Sequence, residues 1–147
     1  DLALDDSIHH GMAGAAFSAA GVVVSHALAQ ALGGVLHIPH SLSVALATRA
    51  GLASNRSACT AQYAELARAC RLGGDNDDVL ADRFVETVNN LLDRCNLPRT
   101  LSVPSDASDG LLEKLVRNAY DSTPVPITLN PRKVSEEDLR ELFNEVL

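Results

Sequence analysis

Three of the chain's five histidines, His26, His37 and His40, fall in the run S-H-A-L-A-Q-A-L-G-G-V-L-H-I-P-H-S, from Ser25 to Ser41. The run lies inside a 42-residue window, Ser7 to Thr48, that holds no Asp, Glu, Lys or Arg. A neutral imidazole is a common metal ligand. His26 and His40 are 14 residues apart, which on one straight helix would separate them by roughly 21 Å. Two ligands of one ion each sit only ~2.0–2.1 Å from it. The expectation is therefore a helix that turns at Gly33-Gly34, where glycine admits positive φ. A short connector follows, and then a second helix opening at Pro39. Its first turn returns His40 towards His26, and the two imidazoles make half of a metal site.

Other candidates take their places around this pair. Gln30 lies one turn beyond His26 on the same helix face. Its amide can contact substrate or a metal-bound water, but cannot exchange protons near neutral pH as an imidazole does. His37, in the connector, reads as a rim histidine. Asp5 with His9, and Asp6 with His10, have the D-x-x-x-H spacing that puts two ligands on one helix face. They would suit a non-catalytic metal-binding unit. No G-x-G-x-x-G follows a strand pattern and no phosphate-cradling loop is present, so a nucleotide site is not expected within these residues.

The elements that position these groups are helices. Hydrophobic residues make up 46% of the chain but aromatics only 3%, with no Trp, so the core must be built from Ala, Leu and Val in closely packed helices. A net charge of −7 without a basic tract argues against nucleic acid as a partner. Cys59, Cys70 and Cys95 show no C-x-x-C spacing and read as reduced thiols of a cytoplasmic protein. No cationic, apolar, cleavable leader is seen. The uncharged window is interrupted by His26, Gln30 and Gly33-Gly34, which favours a buried central helix over a membrane span. Met12 is the only methionine, so the chain reads as a piece of something longer.

Along the sequence, a helix apolar on all sides is expected from about Asp5 to Leu32, enclosed by others, then one from Pro39 to about Arg49, with breaks at Gly51 and Ser54-Asn55. Cys59, Tyr63, Leu66 and Cys70 form a helical stripe. Leu80, Phe84, Val88, Leu91 and Cys95 form another, behind N-cap candidates Asp75, Asn76 and Asp77. Ser108 or Asp109 can cap a helix packing Leu111, Leu112, Leu115, Val116 and Ala119. Thr123-Pro124-Val125-Pro126 reads as non-helical and Asn130-Pro131 as a turn. Ser135 and Asp138 form a capping box for a last helix burying Leu139, Leu142, Phe143 and Val146. The expected fold is one all-α domain of about six helices over residues 1–147.

The stretch G-A-A-F-S-A-A-G-V-V-V-S-H-A-L-A-Q-A-L-G-G-V-L-H-I-P-H-S closely resembles the signature of the iron-containing (group III) alcohol dehydrogenases, A-G-x-A-F-S-N-A-G…H-A-x-A-H-x-L-G-x-x-x-x-x-P-H-G. The resemblance continues in order through Asn55, Y-A-E-L-A at Tyr63–Ala67, N-L-P at Asn96–Pro98 and N-P-R at Asn130–Arg132, followed by S-E-E-D-L. It implies the C-terminal helical domain of a dehydroquinate-synthase-like enzyme, with His26 and His40 as ligands of a divalent metal, iron or zinc. The family's other two ligands, an Asp and a His, come from several helices upstream. Here only 17 residues separate His9 from His26, so the Asp5/His9 and Asp6/His10 pairs do not correspond to them. The resemblance further implies hydride transfer between a small alcohol or aldehyde and NAD or NADP. The nucleotide is held mainly by an N-terminal α/β domain outside this sequence, and a homo-oligomer is expected. These residues alone should not turn over substrate. The sequence departs from the family at Gln30, in place of a second histidine, at Ser41, in place of glycine, and at Val44 and Arg49, where Asn and Pro are common. Those departures favour an alternative: a non-catalytic helical interaction module that kept the fold and lost the metal site.

Overall fold

The structure is a computed structural model that describes the backbone of residues 2–103 and 110–147, and the side chains from residue 7 onward within those limits. Among the described residues there are eight helices and no strand. They are α1 (Leu2–Ala20), α2 (Val24–Leu36), α3 (His40–Asn55), α4 (Thr60–Ala69), α5 (Asp77–Arg94), α6 (Leu111–Ser122), α7 (Pro124–Thr128) and α8 (Glu136–Val146). The fold is all-α.

The helices exceed the expected six for two reasons. The uncharged window does not form one helix. Gly21, at φ 74°, ends α1, and the chain bends by 104° into α2. The enclosing environment expected for the whole stretch is found only for α2, where Val24, Ala27, Leu28, Ala31 and Leu32 are fully buried. On α1, Ile8, Met12 and Phe17 are 52%, 66% and 56% exposed. All-round apolarity shows that a helix needs neighbours, not that the same stretch of chain supplies them. The second reason is α7. Pro124 stands at the first helical position, where the N–H that proline lacks would have no intrahelical partner. Thr-Pro-Val-Pro is therefore a helix start rather than a breaker.

Gly33-Gly34 does not turn the chain. The α2 helix continues to Leu36, and His37 takes the left-handed conformation (φ 56°), its N–H donating to the Gly33 carbonyl. Each glycine costs about 1 kcal/mol of helix propensity, which the buried face of α2 outweighs. A Cβ on Gly33 would meet the Ile38 carbonyl oxygen at 3.6 Å and Ser43 Oγ at 3.8 Å, ordinary contact distances. Likewise α3 runs through Gly51 to Asn55, because Gly51 is where α3 crosses Ser25 of α2.

The main core lies around α2, which packs against α3, α6, α7 and α8. Leu46, Ala47, Leu115, Val116, Leu139, Leu142, Phe143 and Val146 complete it. A second cluster joins α4 to α5 through Cys59, Tyr63 and Ala81, with Phe84 against Tyr63 at 5.4 Å between ring centroids. Here the expected stripe shifts. Leu66 and Cys70 are exposed and Ala67 is buried in their place, while Leu91 and Cys95 are also exposed. Small alanines let α4 and α5 approach on that face, so the bulkier neighbours point outward. Arg49 ties α3 to α5, donating to the Asn89 carbonyl at 3.1 Å and to Asp93 at 2.9 Å. Asn76 caps α5 by accepting from the Val79 N–H at 2.9 Å, and Ser135 with Asp138 forms the capping box of α8. The expected cap at Ser108 or Asp109 lies outside the described residues. No single helix among those described is long and apolar enough to cross a membrane; only the bent pair Ser7–Ala20 and Val24–Leu36 passes by length and composition.

Candidate metal centre

His26 stands in the first turn of α2, and its own N–H donates to the Val23 carbonyl at 2.8 Å. His40 is the first residue of α3, directly after Pro39. The connector 37–39 brings the two rings together, with centroids 5.4 Å apart and planes at 79°. That approach suits nitrogens of one tetrahedral site, which lie ~3–4 Å from each other. His26 is half-buried and His40 exposed, so the pair sits at the surface with one side open.

Burial, and then the neighbouring His40, push the His26 pKa down, which favours the neutral ring. Gln30 Nε2 lies 3.3 Å from His26 Nε2. The direction of this contact follows the imidazole tautomer: with the ring proton on Nδ1, the Gln30 amide donates to Nε2. The Phe17 ring, 6.5 Å from that of His26, covers another side.

The structure thus gathers His26, His40 and Gln30. His37 is exposed and caps α2. His9 and His10 are exposed on α1, and the side chains of Asp5 and Asp6 lie outside the described residues. Among the described residues, no group of three or more His, Cys, Asp or Glu side chains could hold a metal ion. Two imidazoles with an open side would fill two positions of a divalent ion's shell, and no third such ligand joins them among the described residues. Sequence reasoning passed over the buried Asn55–Asn130 pair, in which each amide donates to the other at 2.8 and 2.7 Å. The two asparagines read from sequence as a helix break, a turn and points of the family resemblance, with no signal that pairs them.

Residues 1–147 match the Fe-containing alcohol dehydrogenase family, C-terminal. The chain belongs to that family. It is 34% identical over 143 residues to 1-propanol dehydrogenase PduQ of Salmonella typhimurium, covering 92% of this chain and 38% of that protein. It is 32% identical over 140 residues to long-chain-alcohol dehydrogenase 1 of Geobacillus thermodenitrificans, covering 90% and 33%. Against the NADPH-dependent butanol dehydrogenase of Clostridium saccharobutylicum it is 26% identical over 138 residues, covering 90% and 34%. The chain therefore spans little more than a third of the length of these relatives.

Within the iron-containing alcohol dehydrogenases, this chain's departures fall into two places. Val44 packs against the main core and Arg49 reaches to α5. Both bear on how helices pack. Gln30 touches His26 and Ser41 follows His40, so these two bear on the histidine pair.

Proposed function

We propose that this chain is the metal-bearing helical part of a longer alcohol dehydrogenase. In this reading His26 and His40 supply two ligands to a divalent metal, iron or zinc. The remaining ligands, and most of the NAD or NADP site, come from sequence outside these residues. The observation that carries the proposal is the 5.4 Å approach of the two imidazoles, made by residues of different helices. A divalent ion held there supplies Lewis acidity to the oxygen of a small alcohol or aldehyde, while hydride passes to or from a nicotinamide.

The chain's own side chains do the rest by placement. Burial favours neutral His26, whose one unprotonated ring nitrogen is the atom a metal would take. Gln30 contacts Nε2 and orients the ring, a contact that a metal bound at Nε2 would displace. Because its amide neither takes up nor releases a proton near neutral pH, the alcohol proton leaves through another group. The exposed Phe17 ring stands 6.5 Å from that of His26, and exposed His40 leaves the pair open to solvent.

The test is a steady-state assay of the protein that carries this chain, on a panel of small alcohols and aldehydes with NAD and with NADP. His26→Ala should lower kcat/KM by several orders of magnitude, since it removes a ligand and misplaces the substrate oxygen. Gln30→Ala should cost only about tenfold, the effect of one hydrogen bond of ~1–2 kcal/mol. A wild-type protein inert across the panel and free of metal would sink the proposal. The interaction-module reading, with the exposed apolar face of α1 as its surface, would then stand.

A further inference from the structure

The Asn130-Pro131-Arg132 turn takes no part in the chemistry proposed above, yet it carries a demanding polar network. Asn130 is 8% exposed and Asn55 3%. Asn55 Nδ2 donates to Asn130 Oδ1 at 2.8 Å, and Asn130 Nδ2 donates to Asn55 Oδ1 at 2.7 Å. Asn130 Nδ2 also donates to the Arg132 carbonyl at 2.7 Å, and its Oδ1 also accepts from the Val24 N–H at 3.3 Å. Both donors and both acceptor positions of one carboxamide are thus used. Asp has the shape without the donors, and an aliphatic residue would leave the Val24 N–H and the Asn55 amide buried without partners.

The place of the network gives it a function. Val24 is fully buried and opens α2, and a first-turn N–H has no partner within its own helix. Val23, the residue in the N-cap position, makes no side-chain cap, so Asn130 caps α2 from outside. His26 is in that same turn. Asn55 is the last residue of α3 and His40 the first. A single side chain therefore joins the start of the helix carrying His26 to the end of the helix carrying His40. Arg132 braces the joint, donating to Ser54 at 2.8 Å and to Asp138 at 2.7 Å.

We infer that Asn130, held by Asn55, is a positioning residue for the His26–His40 pair: it caps α2 in trans and fixes how α2 sits against α3. Its importance for metal binding rests on the reading of the two histidines as ligands, but the geometry does not. In the metal-free chain, an NMR cross-peak between the His26 and His40 rings reports the pair, and exchange of the Val24 amide reports the cap. Asn130→Ala should abolish the cross-peak and speed Val24 exchange by tenfold or more. Asn55→Asp turns the donor to Asn130 Oδ1 into a second acceptor and should weaken both. Leu80→Ala, in the separate cluster with Ala64 and Ala67, should keep both while lowering Tm. If the cross-peak persists in Asn130→Ala, or vanishes equally in Leu80→Ala, the inference is wrong. Should Asn130→Ala not fold, Asn55→Ala, which withdraws only the holding partner, is read by the same two signals and should weaken both; unchanged signals there overturn the inference. A Co²⁺ titration of the same set separates the two claims. Roughly tenfold weaker binding in Asn130→Ala is expected. Equal binding by wild type and His26→Ala would refute the ligand reading and leave the cross-peak to decide the positioning role.

Discussion

Gly51→Ala tests how closely α2 and α3 are packed behind the histidine pair. A Cβ built on Gly51 falls 1.9 Å from Ser25 Oγ, 3.0 Å from Ser25 Cβ and 3.5 Å from Ser25 Cα. The hydroxyl can rotate away, but the Ser25 Cβ cannot, and carbon pairs prefer about 3.5–4.0 Å. The helices must therefore move apart by about 0.5–1 Å, at an overpacking cost of ~1–3 kcal/mol. Alanine returns ~0.5–1 kcal/mol of helix propensity. The net loss is about 1–2 kcal/mol, a fall in Tm of about 3–7 °C for a domain of this size. Thermal and urea unfolding followed by circular dichroism would read it. Ser25→Gly in the Gly51→Ala background removes the blocking Cβ, so a double-mutant cycle should show coupling of about 1–2 kcal/mol. A Gly51→Ala protein as stable as wild type or more so, or a cycle without coupling, would refute the close crossing.

Two further outcomes are expected. The Asp138 carboxyl is held at about 2 by the Ser135 hydroxyl and N–H, and then by Arg132. Its folded pKa lies below the ~3.9 of an unfolded Asp. It therefore adds stability that is fully present above about pH 5 and is lost as pH falls from about 4 to 2. This amounts to about 1–2 kcal/mol after screening, and Asp138→Asn should flatten the acid limb of the stability curve by that amount. The exposed Ile8, Met12 and Phe17 on α1 should drive self-association of the 147-residue chain at micromolar concentration. Sedimentation velocity showing a clean monomer that binds no apolar dye would contradict this.

The all-α class was legible because an Ala- and Leu-rich chain with almost no aromatics can build a core only from close helices. Pro39 also announced the start of α3 at the right place, which is what allows His40 to approach His26. What sequence misplaced shares one cause: the meaning of a local breaker is set by its tertiary neighbours. Gly51 sits inside a helix because Ser25 presses on it, and the buried face of α2 carries that helix through Gly33. Pro124 opens α7 rather than preventing it. Gly21, which attracted no notice, makes the sharp bend. Asn130 and Asn55 are 75 residues apart, and no spacing rule pairs two asparagines across that distance. The exposure of α1 was also hidden, since apolarity on every face is equally the mark of an enclosed helix.

The most direct measurement is the metal content of the protein that carries this chain, after exhaustive dialysis, in wild type and in His26→Ala and His40→Ala. If the two imidazoles share one ion, wild type should retain about one divalent metal per chain. Each single variant should lose it while remaining folded by circular dichroism, because a site missing one of its ligands no longer holds the ion against dialysis. Wild-type protein without metal, or variants that keep the ion at wild-type stoichiometry, would show that His26 and His40 meet for a reason other than metal.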